Sequence, residues 1–148
     1  MKSVLVAYIS LTGNTEKMAE YIGEGIRIAG HNAEIKKISE IKNAKELEGY
    51  KGYVFGSPTY HRDMVEPMKT FLFLAKKGNL GGKVGGAFGS HTHSGDAAKS
   101  IFDTMGFVFK MDMVDLGPFN LREDNIDTSE GMRACHDYGK AIGEKLGS

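Results

Sequence analysis

The sequence has no tryptophan, a single cysteine, no surplus of either charge and no apolar run long enough to span a bilayer. Each shortage excludes something. Cys135 alone cannot form an internal disulfide, which suits a reducing cytosol. Without tryptophan, a flat ligand must find its stacking partner among Tyr, Phe and His. Nineteen basic and nineteen acidic residues cancel, so the net charge calls for neither nucleic acid nor an anionic membrane as partner. Met1-Lys2 leads straight into the first predicted strand, with no signal-type apolar region or cleavage site, and a cytoplasmic location is expected.

What is present is a 148-residue chain, 41% hydrophobic and 26% charged, enough for a single globular domain over residues 1–148 with a substantial core. Its most informative stretch is Tyr8-Ile9-Ser10-Leu11-Thr12-Gly13-Asn14-Thr15, between an apolar run (Val4 to Ile9) and a helix-like run (Glu16 to Ala29). A phosphate needs donors aimed at one point. A strand end that turns directly into a helix supplies them from backbone N–H groups and short hydroxyls, with the helix dipole behind them. The dipole contributes only ~0.3–1 kcal/mol at an exposed site, so converging donors must carry most of the binding. The stretch holds no Lys or Arg, which suits one small phosphate group rather than a triphosphate. Read alone, it would serve as well as a polar strand-to-helix turn.

Ser3 to Ile9 reads as a buried parallel strand. Asn14 or Thr15 is predicted to cap a helix whose apolar face is Met18, Ala19, Ile22, Ile26 and Ala29 and which Gly30 ends. Ala33 to Ile38 reads as a second strand, Ser39 to Glu48 as a short imperfect helix, and Lys51 to Gly56 as a third strand. Glu66 to Lys77 is predicted helical, with Met68, Phe71, Leu72 and Ala75 on one face. A glycine-rich fourth strand (Lys83 to Gly89) precedes a helix from Asp96 to Met105, and a fifth strand is expected within Val108 to Leu116. The closing helix, Thr128 to Leu146, is predicted to turn Met132, Cys135, Gly139, Ile142 and Leu146 inward.

Five alternations of strand and helix imply an α/β fold, a doubly wound parallel sheet covered on both faces. Ligands of such sheets bind beyond the C-terminal strand ends, at the switch in strand order. That rule selects the loops Ser10–Asn14, Ser57–Val65 and Ser90–Gly95. The first is fit for phosphate and the other two, rich in polar and ring-bearing residues, for something flat.

These loops resemble those of the flavodoxins, short-chain type. Ser-Leu-Thr-Gly-Asn-Thr at 10–15 is similar to the family's phosphate loop, and Gly-Ser-Pro-Thr-Tyr-His-Arg-Asp-Met at 56–64 and Gly-Ser-His-Thr-His-Ser-Gly-Asp-Ala at 89–97 to its two flavin-clasping loops. Their wording is closest to the flavodoxin module of flavodiiron proteins. The resemblance covers essentially the whole chain and implies a flavodoxin-like five-stranded sheet of order 2-1-3-4-5, bound FMN, and electron transfer. It places Ser10, Leu11, Thr12, Gly13, Asn14 and Thr15 at the FMN phosphate. Ser57, Pro58, Thr59 and Tyr60 would border the ribityl chain and ring, and His61 and Arg62 the redox edge. Ser90, His91, Thr92, His93, Ser94 and Gly95 would close the other side. Tyr60 is the obvious stacking partner, and His91 and His93 stand where flavodoxins often place an aromatic ring. In the family a peptide beside flavin N5 flips as the flavin takes up one electron. Residues 57–65 contain no glycine, so the flip is expected to cost ~1–2 kcal/mol more here, with less of the one-electron-reduced flavin.

The implied partners are redox proteins, a reductase and an acceptor, with a diiron protein in trans among the acceptors considered; a monomer or weak dimer is expected. The alternative is a small FMN-dependent quinone or nitro-compound reductase using NAD(P)H. His91-Thr92-His93 with Asp96 has metal-ligand spacing, but no further ligand cluster follows, so a histidine pair at the surface or beside the flavin is the better reading. Cys135 on a helix's apolar face reads as a packed thiol. Neither a Walker lysine motif nor GxGxxG follows the first strand, which disfavours ATP and dinucleotides there.

Overall fold

The computed structural model describes residues 3–147. Strand β1 (Ser3–Tyr8) alternates its side chains cleanly across the sheet: Val4, Val6 and Tyr8 enter one core, Leu5 and Ala7 the other. The first core is covered by α1 (Asn14–Ile28) and α4 (Ser129–Leu146), the second by α2 (Glu66–Lys76) and α3 (Asp96–Asp103). Every strand of the main sheet is parallel. β2 (Asn32–Lys37) lies at one edge, then come β1, β3 (Gly52–Gly56) and β6 (Val84–His91). With the last position counted as one strand and a small hairpin left aside, the order is the expected 2-1-3-4-5, a doubly wound flavodoxin-like sheet.

The last position departs from the sequence reading. Within Val108 to Leu116 only β7 (Asp112–Met113) forms, paired with Val84 and Gly85 at the start of β6. The longer piece, β8 (Phe119–Arg122), lies beyond that window and pairs with Phe88 to His91. Between them Gly86 and Ala87 lack a strand partner on that side, and Tyr138 of α4 fills the break. Its hydroxyl accepts from the Ala87 N–H (3.1 Å) and can donate to the carbonyl of Gly117 (2.8 Å) or of Ala87 (3.1 Å). Phe119 stacks on the same ring, centroids 5.1 Å apart and planes 18° from parallel. A side chain thus satisfies backbone groups that a continuous strand would have paired.

Helix α4 can reach this position because it lies against the backbone of α1. A Cβ on Gly139 would stand 2.1 Å from the Ile22 carbonyl oxygen, and one on Gly25 2.2 Å from that of His136. Cys135, Gly139 and Ile142 face inward as expected, while Met132 lies at the surface, 36% exposed. The segment expected as a helix at Ser39–Glu48 is two short 3-10 turns, Ile38–Glu40 and Ala44–Leu47. A widened turn, Thr104–Val108, extends α3.

Candidate functional site

All three loops lie at the C-terminal ends of the strands. The first does not cap α1 as expected. Asn14 and Thr15 are inside the helix, and the N-cap is Gly13, left-handed at φ 93°, with no side chain closing the helix end. The amides at the start of α1 therefore keep their hydrogen-bonding capacity. Ser10 Oγ accepts the Gly13 N–H (3.0 Å), and Asn14 Nδ2 donates to Thr12 Oγ1 (3.1 Å), so the loop is braced by its own hydroxyls. Leu11 and Thr12 are exposed.

Thr15 and Ser90 are each 1% exposed, and their hydroxyls meet at 2.8 Å, tying the first loop to the end of β6. One hydroxyl donates to the other, which leaves one proton unspent in a buried position beside the helix end.

The second loop is a β-hairpin. β4 (Thr59–Tyr60) pairs antiparallel with β5 (Asp63–Met64) through a two-residue turn, His61-Arg62, both left-handed at φ 51° and 62°. Positive φ at both central positions is the type I′ pattern. The hairpin is held at its base. Ser57 Oγ donates to the Pro58 carbonyl (2.9 Å) and accepts from the Val65 N–H (3.4 Å), while Thr59 Oγ1 accepts from the Ala97 N–H (3.1 Å) in the first turn of α3. Asp63 meets Lys69 Nζ at 2.5 Å, which holds its carboxyl below the usual range. Ser57 thus both donates and accepts within the loop, while Thr59 accepts from α3 and keeps its own proton.

Thr59, Tyr60, His61 and Arg62 face Thr92, His93 and Ser94 across a cleft of about 390 Å³. Tyr60 is 41% exposed, its ring available as a wall. Ser94 Oγ donates to Asp96 (2.7 Å), and Arg62 Nε lies 3.7 Å from the same carboxylate, bridging the two sides. His91 does not line the cleft. It sits half-buried at the end of β6 beside Arg122, and burial, with that guanidinium, lowers its pKa from 6.5. Among the described residues no three His, Cys, Asp or Glu side chains converge as a metal site.

Sequence reasoning missed Asn120. It lies in β8, the strand placed wrongly, and a Cβ on Gly95 would stand 2.5 Å from its side chain. Buried side-chain atoms His91 Nδ1 and Asn120 Oδ1 have no hydrogen-bond partner. Orphaned polar atoms around the third loop, free amides at the first and an exposed ring at the second suit a ligand with a phosphate at one end and a polar-edged plate at the other.

The comparisons decide which ligand. Residues 6–123 match the family model described as Flavodoxin. The chain belongs to the flavodoxin family. FMN is the family's cofactor, and the residues at the three loops fit it. A flavodoxin from the domain Archaea superposes with a TM-score of 0.90 at 30% identity, each chain covered to 99%. The flavodiiron protein from Giardia intestinalis shares the fold (TM-score 0.83, 22% identity) over 99% of this chain and 36% of its own. An NAD(P)H dehydrogenase (quinone) from Gluconacetobacter diazotrophicus is 33% identical over 82% of this chain and 74% of its own. The chain is accordingly an FMN electron-transfer flavoprotein, and no helix among the described residues is long and apolar enough to cross a membrane.

Proposed function

We propose that residues 1–148 form one FMN domain that carries electrons between redox proteins in the cytoplasm, as a monomer or weak dimer, and does not itself turn over a quinone. One observation carries this reading: Tyr60, His61, Arg62, Thr92 and His93, five of the seven residues lining the ring cleft, are exposed. A flavin edge there faces an arriving protein surface, not an enclosed substrate pocket. FMN supplies one- and two-electron redox chemistry when bound. The chain's part is to hold it. The free amides of α1, with Ser10, Thr12, Asn14 and the Thr15–Ser90 pair, take the phosphate. Pro58, Tyr60 and the His61-Arg62 turn flank the ring on one side, and residues 90–95 with Asn120 on the other.

The quinone-reductase reading rests on the relative of that name. Reduction kinetics separate the two. A carrier is reduced slowly by NADH or NADPH alone and quickly through a reductase protein, and the released flavin is FMN, not FAD. Fast direct reduction by a nicotinamide nucleotide, with quinone-dependent turnover, overturns the carrier reading.

A further inference from the structure

The loop that meets the FMN phosphate holds no cation. None of Ser10 to Thr15 is basic, so the amides of Asn14, Thr15 and Glu16 must answer the phosphate's charge with hydrogen bonds and the helix dipole. A carboxylate competing for the same helix end would therefore weaken phosphate binding with little to offset it. The chain places one there. Glu16 is the third residue of α1, and it lines one groove with Ser10 and Gly13.

A glutamate at this third position ordinarily turns back onto the backbone N–H of the cap. Here two contacts stand against that. Ser10 Oγ already accepts the Gly13 N–H (3.0 Å), and Glu16 Oε2 accepts the Tyr8 hydroxyl (2.7 Å). Among the described residues no cation pairs with Glu16. Lys37, on the same groove, makes no ion pair with it, and the neighbouring Lys17 holds Asp127 at 2.7 Å. The Tyr8 hydroxyl is therefore the one side-chain partner of this carboxylate. Its ring is 4% exposed and belongs to the core that Met18 and Ile22 of α1 cover, so the hydroxyl is a fixed anchor.

We propose that Tyr8 is a positioning residue for the FMN phosphate: its hydroxyl holds the Glu16 carboxylate off the first-turn amides of α1 and so leaves them for the phosphate. This rests on the FMN reading and deepens it. The effect is selective by its chemistry. Riboflavin carries the same ring and ribityl chain without the phosphate, so it presents nothing for Glu16 to oppose.

A double-mutant cycle tests the proposal. Wild type, Y8F, E16Q and the double variant are stripped of flavin and titrated with FMN and with riboflavin, read by quenching of flavin fluorescence. Phenylalanine keeps the buried ring, and thermal melts confirm that each variant folds. Expected in Y8F is FMN binding about three- to tenfold weaker, with riboflavin binding unchanged. E16Q, which has no charge to oppose the phosphate and still accepts the Tyr8 hydroxyl, binds FMN at least as tightly as wild type. Adding Y8F to E16Q changes FMN affinity little, the non-additivity of one residue acting through the other. Where riboflavin binds too weakly to titrate, the FMN cycle alone decides. Unchanged FMN affinity in Y8F overturns the proposal. So does equal weakening of FMN and riboflavin, or a Y8F effect as large in E16Q as in wild type, since either makes Tyr8 a packing residue only. A loss of FMN affinity in E16Q overturns it too. Wild type that fails to bind FMN, by contrast, overturns the FMN reading and this inference with it.

Discussion

Replacing Tyr138 by Phe tests whether a side chain substitutes for a missing stretch of strand. The ring is 2% exposed and stacked on Phe119, and Phe keeps that packing, so the substitution removes little but the hydroxyl. Without it, the Ala87 N–H and the Gly117 carbonyl lose their partner at the break between β7 and β8. A buried polar group left unpaired costs about 1–3 kcal/mol. Ala87 is fully buried and Gly117 only partly, so the sum should lie near 2–4 kcal/mol. For a chain of this length that lowers Tm by roughly 5–15 °C. Urea unfolding of FMN-free wild type and Y138F, followed by far-UV circular dichroism, measures it directly. A loss below about 0.5 kcal/mol with unchanged m-value would refute the reasoning and show that the break is satisfied without Tyr138.

Three further outcomes follow from the geometry. G139A, whose Cβ would stand 2.1 Å from the Ile22 carbonyl, should force α4 away from α1 and cost about 1–3 kcal/mol in denaturant unfolding, more than a surface Gly→Ala change would. His91 has a pKa lowered in the fold by burial and Arg122, so the unfolded chain binds the proton more readily; stability is full above the unfolded value near 6.5 and falls as pH drops below it. H91Q should flatten that slope in melts between about pH 7 and pH 5, and an unchanged slope assigns it to other groups. His61 is left-handed at φ 51°, where a side chain costs up to about 1–2 kcal/mol, so H61G should leave the protein at least as stable despite glycine's entropy. A clear loss of stability would mean that the imidazole contributes more than its backbone strain.

Periodicity and composition were enough for most of the architecture. The unbroken apolar run of β1, the stripe Met18, Ala19, Ile22 and Ile26, and the face Met68, Phe71, Leu72 and Ala75 each repeat at the spacing of the element they form, and each is buried. The three loops were legible because strand-to-helix alternation locates strand ends whatever the details of packing.

Only the tertiary structure decided the rest. The fifth strand is split because its missing hydrogen bonds come from a tyrosine some twenty residues later in the chain, a contact with no local signature. Asn120 was hidden for the same reason. The cap of α1 fell to Gly13 because its left-handed backbone makes the turn, which leaves the hydroxyls beside it for other partners. That Ser57 and Thr59 also brace the hairpin is a tertiary fact, since it needs the Val65 and Ala97 amides within their reach. Local pattern fixes which elements form and which face they bury. Which side chains meet across elements depends on packing, and there the partners of the site were chosen.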